Sequence, residues 1–188
     1  MITIRIISAS IRTGRKSHRA AMFFKRFLEE EGFASAEIID LDKYAFPLFH
    51  ERLRYQESPS ESMLDFSVKV KSSDGIIIVT PEYNGGYPAS LKNAIDLLID
   101  EWHHKPVAIV TVSDGIFGGT QVITSLQFVL WKMKALVVTE RFPVIKVQDS
   151  FDENGTPADK TGIEKRARSF INELIWCIGA KSRMDQSG

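Results

Sequence analysis

The 188-residue sequence predicts an α/β domain in which helices cover both faces of a doubly wound, five-stranded parallel sheet. Two observations lead to this prediction. Strand and helix patterns alternate about five times along the chain, and the strand patterns are almost wholly apolar, as strands buried on both faces require. Because crossover connections are right-handed, we expect the strand order 2-1-3-4-5.

The first half of the chain holds two strand patterns and two helix patterns. Isoleucines dominate residues 2–8, which form the first strand. A helix pattern of alanine, phenylalanine and leucine follows it and ends at Gly32, since glycine readily terminates a helix. Residues 36–41 form the second strand, and a helix is expected at about 62–71. The polar, proline-containing stretch between them, residues 42–60, indicates a loop.

The second half begins with the clearest buried strand pattern of the chain, residues 75–80. Pro88 stands where the first turn of a helix accepts proline. The later elements are a fourth strand, a helix introduced by two glycines, a fifth strand that a later segment can resume, and a closing helix. They occupy, in order, residues 107–112, the stretch after Gly118 and Gly119, residues 136–139 with 144–147, and residues 161–178.

The composition is that of one globular domain. We expect residues 1–180 to form it and residues 181–188 to be a disordered tail. The 24 basic and 24 acidic residues cancel, so the clustered positive charge that nucleic-acid binding needs is not indicated. No signal-peptide pattern and no apolar run of about 20 residues is visible, and the single cysteine, Cys177, excludes an intrachain disulfide. These features favour the cytoplasm.

Ligands of such a sheet bind outside the carboxyl ends of the strands, where the winding reverses, and this directs attention to three loops. The first loop, residues 8–17, combines hydroxyls, a glycine and three cations just before a helix. Backbone N–H groups at a helix start favour an anion, which serine and arginine side chains can help to bind. The alternative is a solvated basic turn with Ser17 as an ordinary N-cap. The candidate ligands of an anion here are Ser10, Arg12, Arg15, Lys16 and Ser17.

The second and third loops are rich in glycine. The second, residues 80–88, contains proline, asparagine and paired glycines, which let backbone amides approach a ligand closely. The third, residues 113–119, follows the fourth strand and has the same character. The candidate ligand contacts of these two loops are Pro81, Glu82, Tyr83, Asn84, Gly85, Ser113 and Gly115.

Other titratable groups have simpler explanations. His103 and His104 end a helix, where cations complement the helix dipole, and no further residues show metal-ligand spacing, so we expect no metal. Glu82 is a possible catalytic carboxylate, but a positioning or rim contact is the simpler role. His18 follows the first loop and is interpreted as a surface histidine in preference to a phosphate ligand. No catalytic acid or base is assigned.

The three loops carry a family resemblance. The sequence resembles the flavodoxin-like NAD(P)H-dependent FMN reductases, a group that includes quinone, azo-dye and chromate reductases. Ser10, Arg12 and Ser17 match the phosphate-loop motif of that family, and residues 81–85 are similar to its Pro-Glu-Tyr-Asn-Gly signature. Ala9 departs from the pattern, because the family has its first glycine there.

The resemblance implies a flavodoxin-like fold that binds FMN, with the phosphate on the first loop and the flavin ring against residues 81–85. Hydride would pass from NADPH or NADH to the flavin, and on to a quinone, flavin, azo or similar acceptor. The resemblance also implies a homodimer or homotetramer. The aromatic residues around Trp102 and Phe117 suggest a surface for that contact.

Three other classes of protein share this fold or this cofactor. A flavodoxin-like electron carrier shares the fold, but such carriers dock through a strongly acidic face and this chain has zero net charge. A non-catalytic FMN-binding protein is not distinguished from an enzyme by sequence. A response-regulator-like receiver is disfavoured, because the acidic residues it requires are replaced here by residues 8–10 and Thr80.

Overall fold

The computed structural model describes residues 1–186, and within them it contains five β-strands and seven α-helices. The strands are β1 (Thr3–Ser8), β2 (Ser35–Asp40), β3 (Gly75–Pro81), β4 (Pro106–Val112) and β5 (Leu136–Val144). The helices are α1 (Ser17–Glu30), α2 (Leu41–Tyr44), α3 (Glu61–Ser72), α4 (Ala89–Leu97), α5 (Gln121–Lys132), α6 (Val147–Ser150) and α7 (Lys160–Gln186). Two short 3₁₀ turns occupy Leu53–Tyr55 and Asp100–Trp102.

The sheet has the order β2-β1-β3-β4-β5, and all of its neighbouring strands are parallel. The predicted flavodoxin-like fold and strand order are therefore confirmed. The registers bring the carboxyl ends of the strands together: Ser8 lies opposite Asp40 and Val79, and Pro81 lies opposite Val112. The loops that follow β1, β3 and β4 consequently leave the sheet at one edge, next to one another.

Two separate apolar layers cover the two faces of the sheet. Helices α1 and α7 enclose one layer, which is rich in phenylalanine, and Phe24 contacts Phe142 edge-on at a centroid distance of 5.0 Å. Helices α3, α4 and α5 enclose the other layer. Trp102 is fully buried there, and its indole N–H donates to the carbonyl of Ile95 at 3.1 Å. Trp102 therefore stabilises the core, and the expectation that it marks a surface for subunit contact is wrong.

The carboxyl-terminal segment differs from its predicted state. Residues 181–186 continue helix α7, whereas a disordered tail was expected over residues 181–188. The helix is anchored by buried Ile178 and extended by an ion pair one turn apart between Lys181 and Asp185. The expectation for residues 187–188 falls outside the described part of the chain.

The fifth strand and the long loop also differ in detail from expectation. Strand β5 is continuous over Leu136–Val144, and residue 147 already belongs to α6. The pairing shifts inside β5: successive paired positions are Val107 with Val137 and then Ile109 with Arg141. This irregularity interrupts the apolar pattern, which is why the sequence suggested two pieces. The stretch 42–60 is mostly loop but contains most of α2 and one 3₁₀ turn.

No helix within the described residues is long and apolar enough to span a bilayer.

Candidate functional site

A pocket of about 370 Å³ opens at the carboxyl edge of the sheet, where the three loops meet. Its walls include nine of the predicted site residues: Ser10, Arg12, Arg15, Lys16, Ser17, Pro81, Glu82, Tyr83 and Ser113. Three other predicted residues, Asn84, Gly85 and Gly115, are not among its lining. The sequence analysis missed five lining residues: Thr13, Gly14, Val112, Asp114 and Val147.

The first loop forms a tight turn above the end of β1. The backbone N–H of Arg15 donates to the carbonyl of Arg12 at 3.1 Å, and Gly14 adopts the left-handed conformation with φ 70°. The backbone N–H of Arg12 donates to the Ser10 hydroxyl at 3.3 Å. The Arg12 side chain is exposed on the rim, and within residues 1–186 its guanidinium forms neither an ion pair nor a hydrogen bond. A free cation therefore borders the pocket.

Ser17 is the first residue of α1, so the alternative in which it serves as the N-cap is wrong. The cap position belongs to Lys16, whose side chain makes no capping hydrogen bond. The Ser17 side chain is 4% exposed, and its hydroxyl oxygen has no hydrogen-bond partner among the described residues. A buried hydroxyl without a partner is costly, and here it lies at a helix start that already favours anions. The pocket therefore has a donor set that fits a phosphate group.

Arg15 and Lys16 are engaged with acidic residues. The Arg15 guanidinium donates to both carboxylate oxygens of Asp40, at 2.5 and 2.6 Å, and to the carbonyl of Ser10 at 2.5 Å. The hydrogen bond to Asp40 raises the pKa of Arg15 above its ordinary value. Lys16 lies 3.8 Å from Asp114, so it bridges the first and third loops. The loop presents its cations at different depths, with Arg12 outermost.

Ala9 fits its position without the freedom of glycine. It is fully buried and has no positive φ, its N–H donates to the Val79 carbonyl at 3.0 Å, and its own carbonyl accepts from the Ser90 hydroxyl at 2.6 Å. The methyl group of Ala9 packs in the apolar layer on the side of α3 and α4. The backbone conformation here does not require the glycine that the family pattern has.

The second loop contacts the first through Tyr83. The hydroxyls of Tyr83 and Ser10 are 2.6 Å apart. Tyr83 and Gly86 exchange two backbone hydrogen bonds, and Asn84 and Gly85 between them have φ values of 53° and 81°. Such a turn requires two left-handed residues, which explains the Asn-Gly pair. Asn84 and Gly85 therefore shape the tip of the loop, outside the pocket.

Glu82 connects the second loop to helix α5. Its carboxylate accepts from the backbone N–H of Gln121 at 3.1 Å, at the first turn of that helix. Thr120 occupies the cap position of α5 without a capping side-chain bond, so Glu82 supplies the missing acceptor. This contact supports the positioning role that the sequence analysis preferred for Glu82.

The third loop is held at both ends and exposes two apolar side chains at its middle. The Thr111 hydroxyl donates to the Gly118 carbonyl at 2.6 Å, and the Ser113 hydroxyl donates to the Gly115 carbonyl at 3.0 Å. Ile116 and Phe117 are 63% and 76% exposed at the middle of the loop. An apolar surface therefore borders the polar pocket.

Two of the histidines contact neighbouring polar side chains. The His18 ring lies behind the first loop, with Nδ1 2.9 Å from the Ser8 hydroxyl, and burial lowers its pKa. His103 lies 3.8 Å from Asp100. Within the residues that the structure describes, no group of three or more His, Cys, Asp or Glu side chains could hold a metal ion.

The fold and this pocket together define a flavodoxin-like protein with a polar pocket where the winding reverses. A family model described as NADPH-dependent FMN reductase matches residues 2–149, and the chain belongs to that family. Its cofactor is FMN, and its reaction class is NAD(P)H-driven oxidoreduction.

Individual relatives agree with this family. An NAD(P)H-dependent FMN reductase of Saccharomyces cerevisiae is 35% identical over 148 residues, which are 72% of this chain and 76% of the relative. A quinone reductase of Pseudomonas putida is 28% identical over 180 residues, or 92% and 90% of the two chains. Among solved structures, the flavoenzyme FerB, an NAD(P)H:(acceptor) oxidoreductase from Paracoccus denitrificans, superposes with a TM-score of 0.75 at 22% identity. That match covers 93% of this chain and 97% of FerB, and it supports the fold.

Proposed function

We propose that the protein binds the FMN phosphate in the first loop and the flavin ring against the second, and that it reduces small quinone, flavin or azo acceptors with NADPH or NADH. One observation carries this proposal: among residues 1–186 the buried hydroxyl of Ser17 at the start of α1 has no partner, and neither has the guanidinium of Arg12 at the rim of the same pocket. A phosphate between them would accept from both groups and from the first backbone N–H groups of α1.

The second loop supports the proposed position of the flavin ring. Pro81 and Tyr83 line the pocket, whereas Asn84 and Gly85, in the left-handed turn that follows, are not among its lining residues. Backbone N–H groups near a flavin stabilise negative charge on it. When bound, FMN would supply the transfer of hydride and electrons between a nicotinamide and an acceptor. The chain itself binds and orients, and we assign it no acid or base.

The proposed acceptors are small and largely apolar. Ile116 and Phe117 provide an exposed apolar surface next to the pocket, which suits a planar quinone or azo compound. A relative that is 28% identical is named a quinone reductase. The electron-carrier alternative lacks support, because the formal charge of the chain is zero and such carriers dock through strongly acidic faces.

We also propose a cytoplasmic homodimer or homotetramer. Phe128 and Trp131 are 60% and 65% exposed on the outer face of α5, the helix that Glu82 connects to the second loop. Two large aromatic rings on one exposed helix face favour burial in a protein contact. A cytoplasmic location agrees with a chain that has a single cysteine and uses a reduced nicotinamide.

Stopped-flow reduction tests the proposed function. FMN-loaded protein is mixed without oxygen with NADPH or with NADH, and the flavin absorbance should bleach within seconds. Adding a quinone should then restore the flavin absorbance. If neither nucleotide bleaches the flavin, the reductase proposal fails and the electron carrier becomes the better explanation.

A further inference from the structure

A buried ion pair lies directly beneath the first loop. Asp40 is the last residue of β2 and is 5% exposed. Both of its carboxylate oxygens accept from the Arg15 guanidinium, and the same Nη1 atom that reaches Asp40 also donates to the Ser10 carbonyl at 2.5 Å. The Arg15 side chain is only 15% exposed. A planar guanidinium with three bonds in this arrangement has a fixed orientation.

The pair is ionised in spite of its burial. Burial alone would raise the pKa of the Asp40 carboxyl, but the hydrogen bonds and charge of Arg15 outweigh it, and the pKa is lowered. A second acid, Asp42, lies 3.5 Å from Arg15 but is 53% exposed and makes only this one contact with it. Asp42 therefore offers a comparison with the same charge and much weaker geometry.

The Arg15–Asp40 ion pair fixes the backbone of Ser10. Its carbonyl accepts from Arg15, while its hydroxyl lies 2.6 Å from the Tyr83 hydroxyl and accepts from the backbone N–H of Arg12. When Tyr83 donates, both lone pairs of the Ser10 hydroxyl are used, and its hydrogen remains available to a ligand oxygen. The orientation of that hydroxyl depends on the backbone of Ser10, which Arg15 fixes.

We propose that Asp40 is a positioning residue for the phosphate of the cofactor. By binding both Nη atoms of Arg15, it keeps that side chain on the Ser10 carbonyl and holds the first loop in its phosphate-binding shape. The inference rests on the proposed phosphate position, and it assigns Arg15 a supporting role in place of direct contact.

Direct contact between Arg15 and the phosphate would predict the opposite effect of Asp40→Asn on FMN binding. If Arg15 contacts the phosphate directly, Asp40 competes for it and adds repulsion, so Asp40→Asn should tighten FMN binding. If Asp40 positions the loop, Asp40→Asn loses one acceptor oxygen and the charge of the pair, and FMN binding weakens. The sign of one measured change therefore separates the two roles.

The test is a titration of FMN and riboflavin into flavin-free wild type, Asp40→Asn, Asp40→Glu and Asp42→Asn. We expect Asp40→Asn to weaken FMN about tenfold, in line with the loss of a charge-assisted hydrogen bond, and to change riboflavin less than about twofold. Asp40→Glu should recover part of the loss, because it restores the charge. Asp42→Asn, the matched control, should bind FMN as the wild type does.

Several results would overturn the inference. Asp40→Asn that binds FMN as tightly as wild type, or more tightly, excludes a positioning role, and so does an equal loss for FMN and riboflavin. If Asp40→Asn does not fold, Asp40→Glu replaces it, because the longer side chain displaces the carboxylate from the two Nη atoms of Arg15. Positioning then predicts an FMN-selective loss, whereas direct contact of Arg15 with the phosphate predicts unchanged or tighter FMN binding. If the wild type does not prefer FMN over riboflavin, the proposed phosphate site itself is wrong. If the wild type prefers FMN and Asp40→Asn keeps that preference, only the role of Asp40 is wrong.

Discussion

At the scale of single residues, Ser17 has two opposing effects. Within the described residues its hydroxyl is buried without a partner, and we expect it to become a donor when a phosphate enters the pocket. Ser17→Ala should therefore raise the free energy of unfolding of the ligand-free protein by about 1 kcal/mol, and weaken FMN binding about tenfold. Urea denaturation and flavin fluorescence measure the two effects.

Ser73 is the matched control for Ser17. It is equally buried, at 4% exposure, but its hydroxyl donates to the Val70 carbonyl at 2.8 Å. Ser73→Ala should destabilise the protein and leave FMN affinity unchanged. A Ser17→Ala variant that behaves like Ser73→Ala would mean that the Ser17 hydroxyl is satisfied by something other than the cofactor.

Arg12 should discriminate FMN from riboflavin. Its guanidinium lies at the rim of the pocket without a partner among residues 1–186, and a charge-assisted bond to phosphate contributes about 1.5–3 kcal/mol. Arg12→Ala should weaken FMN about tenfold to a hundredfold and leave riboflavin nearly unchanged. Lys71, exposed at the opposite edge of the sheet, is the control cation, and Lys71→Ala should affect neither ligand. No FMN-selective loss in Arg12→Ala would contradict the phosphate position.

The sequence predicts the residues that line the pocket better than the contacts that support them. Ser10, Arg12 and Ser17 are visible because a strand, a turn and a helix start follow one another along the chain. Asp40 is not visible in the same way, since it contacts Arg15 only because the β1–β2 register sets Asp40 beside Ser8. The sequence signal that was available for Asp40 is an acidic residue at the end of the strand that neighbours the first loop.

At the scale of elements, Glu82 ties the second loop to α5. Because it supplies the acceptor at the first turn of that helix, Glu82→Ala should lower the free energy of unfolding by about 1 kcal/mol. Amide exchange in the first turn of α5 should become faster. Glu82→Gln keeps an acceptor oxygen and should retain most of the protection. Unchanged exchange in Glu82→Ala would show that the contact does not stabilise the helix.

Lys105 ties α3 to the start of β4 and gives the protein a measurable pH dependence. Its ammonium donates to the carbonyl of Lys71 at 3.1 Å and to that of Ser73, at the end of α3. Burial, with a smaller contribution from the charge of Lys181, lowers its pKa from 10.5 to about 8. Between these two pKa values the unfolded chain binds a proton that the folded protein has released. The Lys105 contribution to stability should therefore rise as the pH rises.

Denaturation of wild type and Lys105→Met at several pH values checks this sign. From pH 8 to 10.5, the wild type should gain about 2–3 kcal/mol relative to the variant. Lys165, an exposed lysine of α7, is the control, and Lys165→Met should keep a constant difference from wild type. A wild-type advantage that stays flat or falls over this range contradicts the assignment.

Element boundaries were predictable where the apolar pattern is local. The strands β1, β3 and β4 follow from runs of apolar residues, whereas β5 contains exposed Thr139, Glu140 and Arg141, which the sequence reads as a break. Helix α7 extends through residues 181–186, where a local ion pair joins two turns. The low apolar content of this segment hides the helix from a prediction based on apolar patterns.

At the scale of the whole molecule, subunit contact should depend on α5. Light scattering of FMN-loaded wild type at micromolar concentration should give two or four times the mass of the chain. Trp131→Glu should reduce this mass, because it introduces charge into the exposed aromatic pair. Trp176 on α7 is 64% exposed, almost as much as Trp131 at 65%, so Trp176→Glu is the control and should not dissociate the oligomer. A monomeric wild type would exclude the dimer.

The shifted register of β5 affects whether another chain can pair with this edge of the sheet. An outer strand with evenly spaced, unpaired backbone groups invites another chain to add to it, and such addition is the first step toward fibrils. Here Glu140 and Arg141 are exposed within the irregular part of the strand, and Pro143 lacks an N–H to offer. The outer edge at β5 is a poor template for a further strand. At this edge we therefore expect the proposed oligomer to form through helix surfaces and not through the addition of a strand.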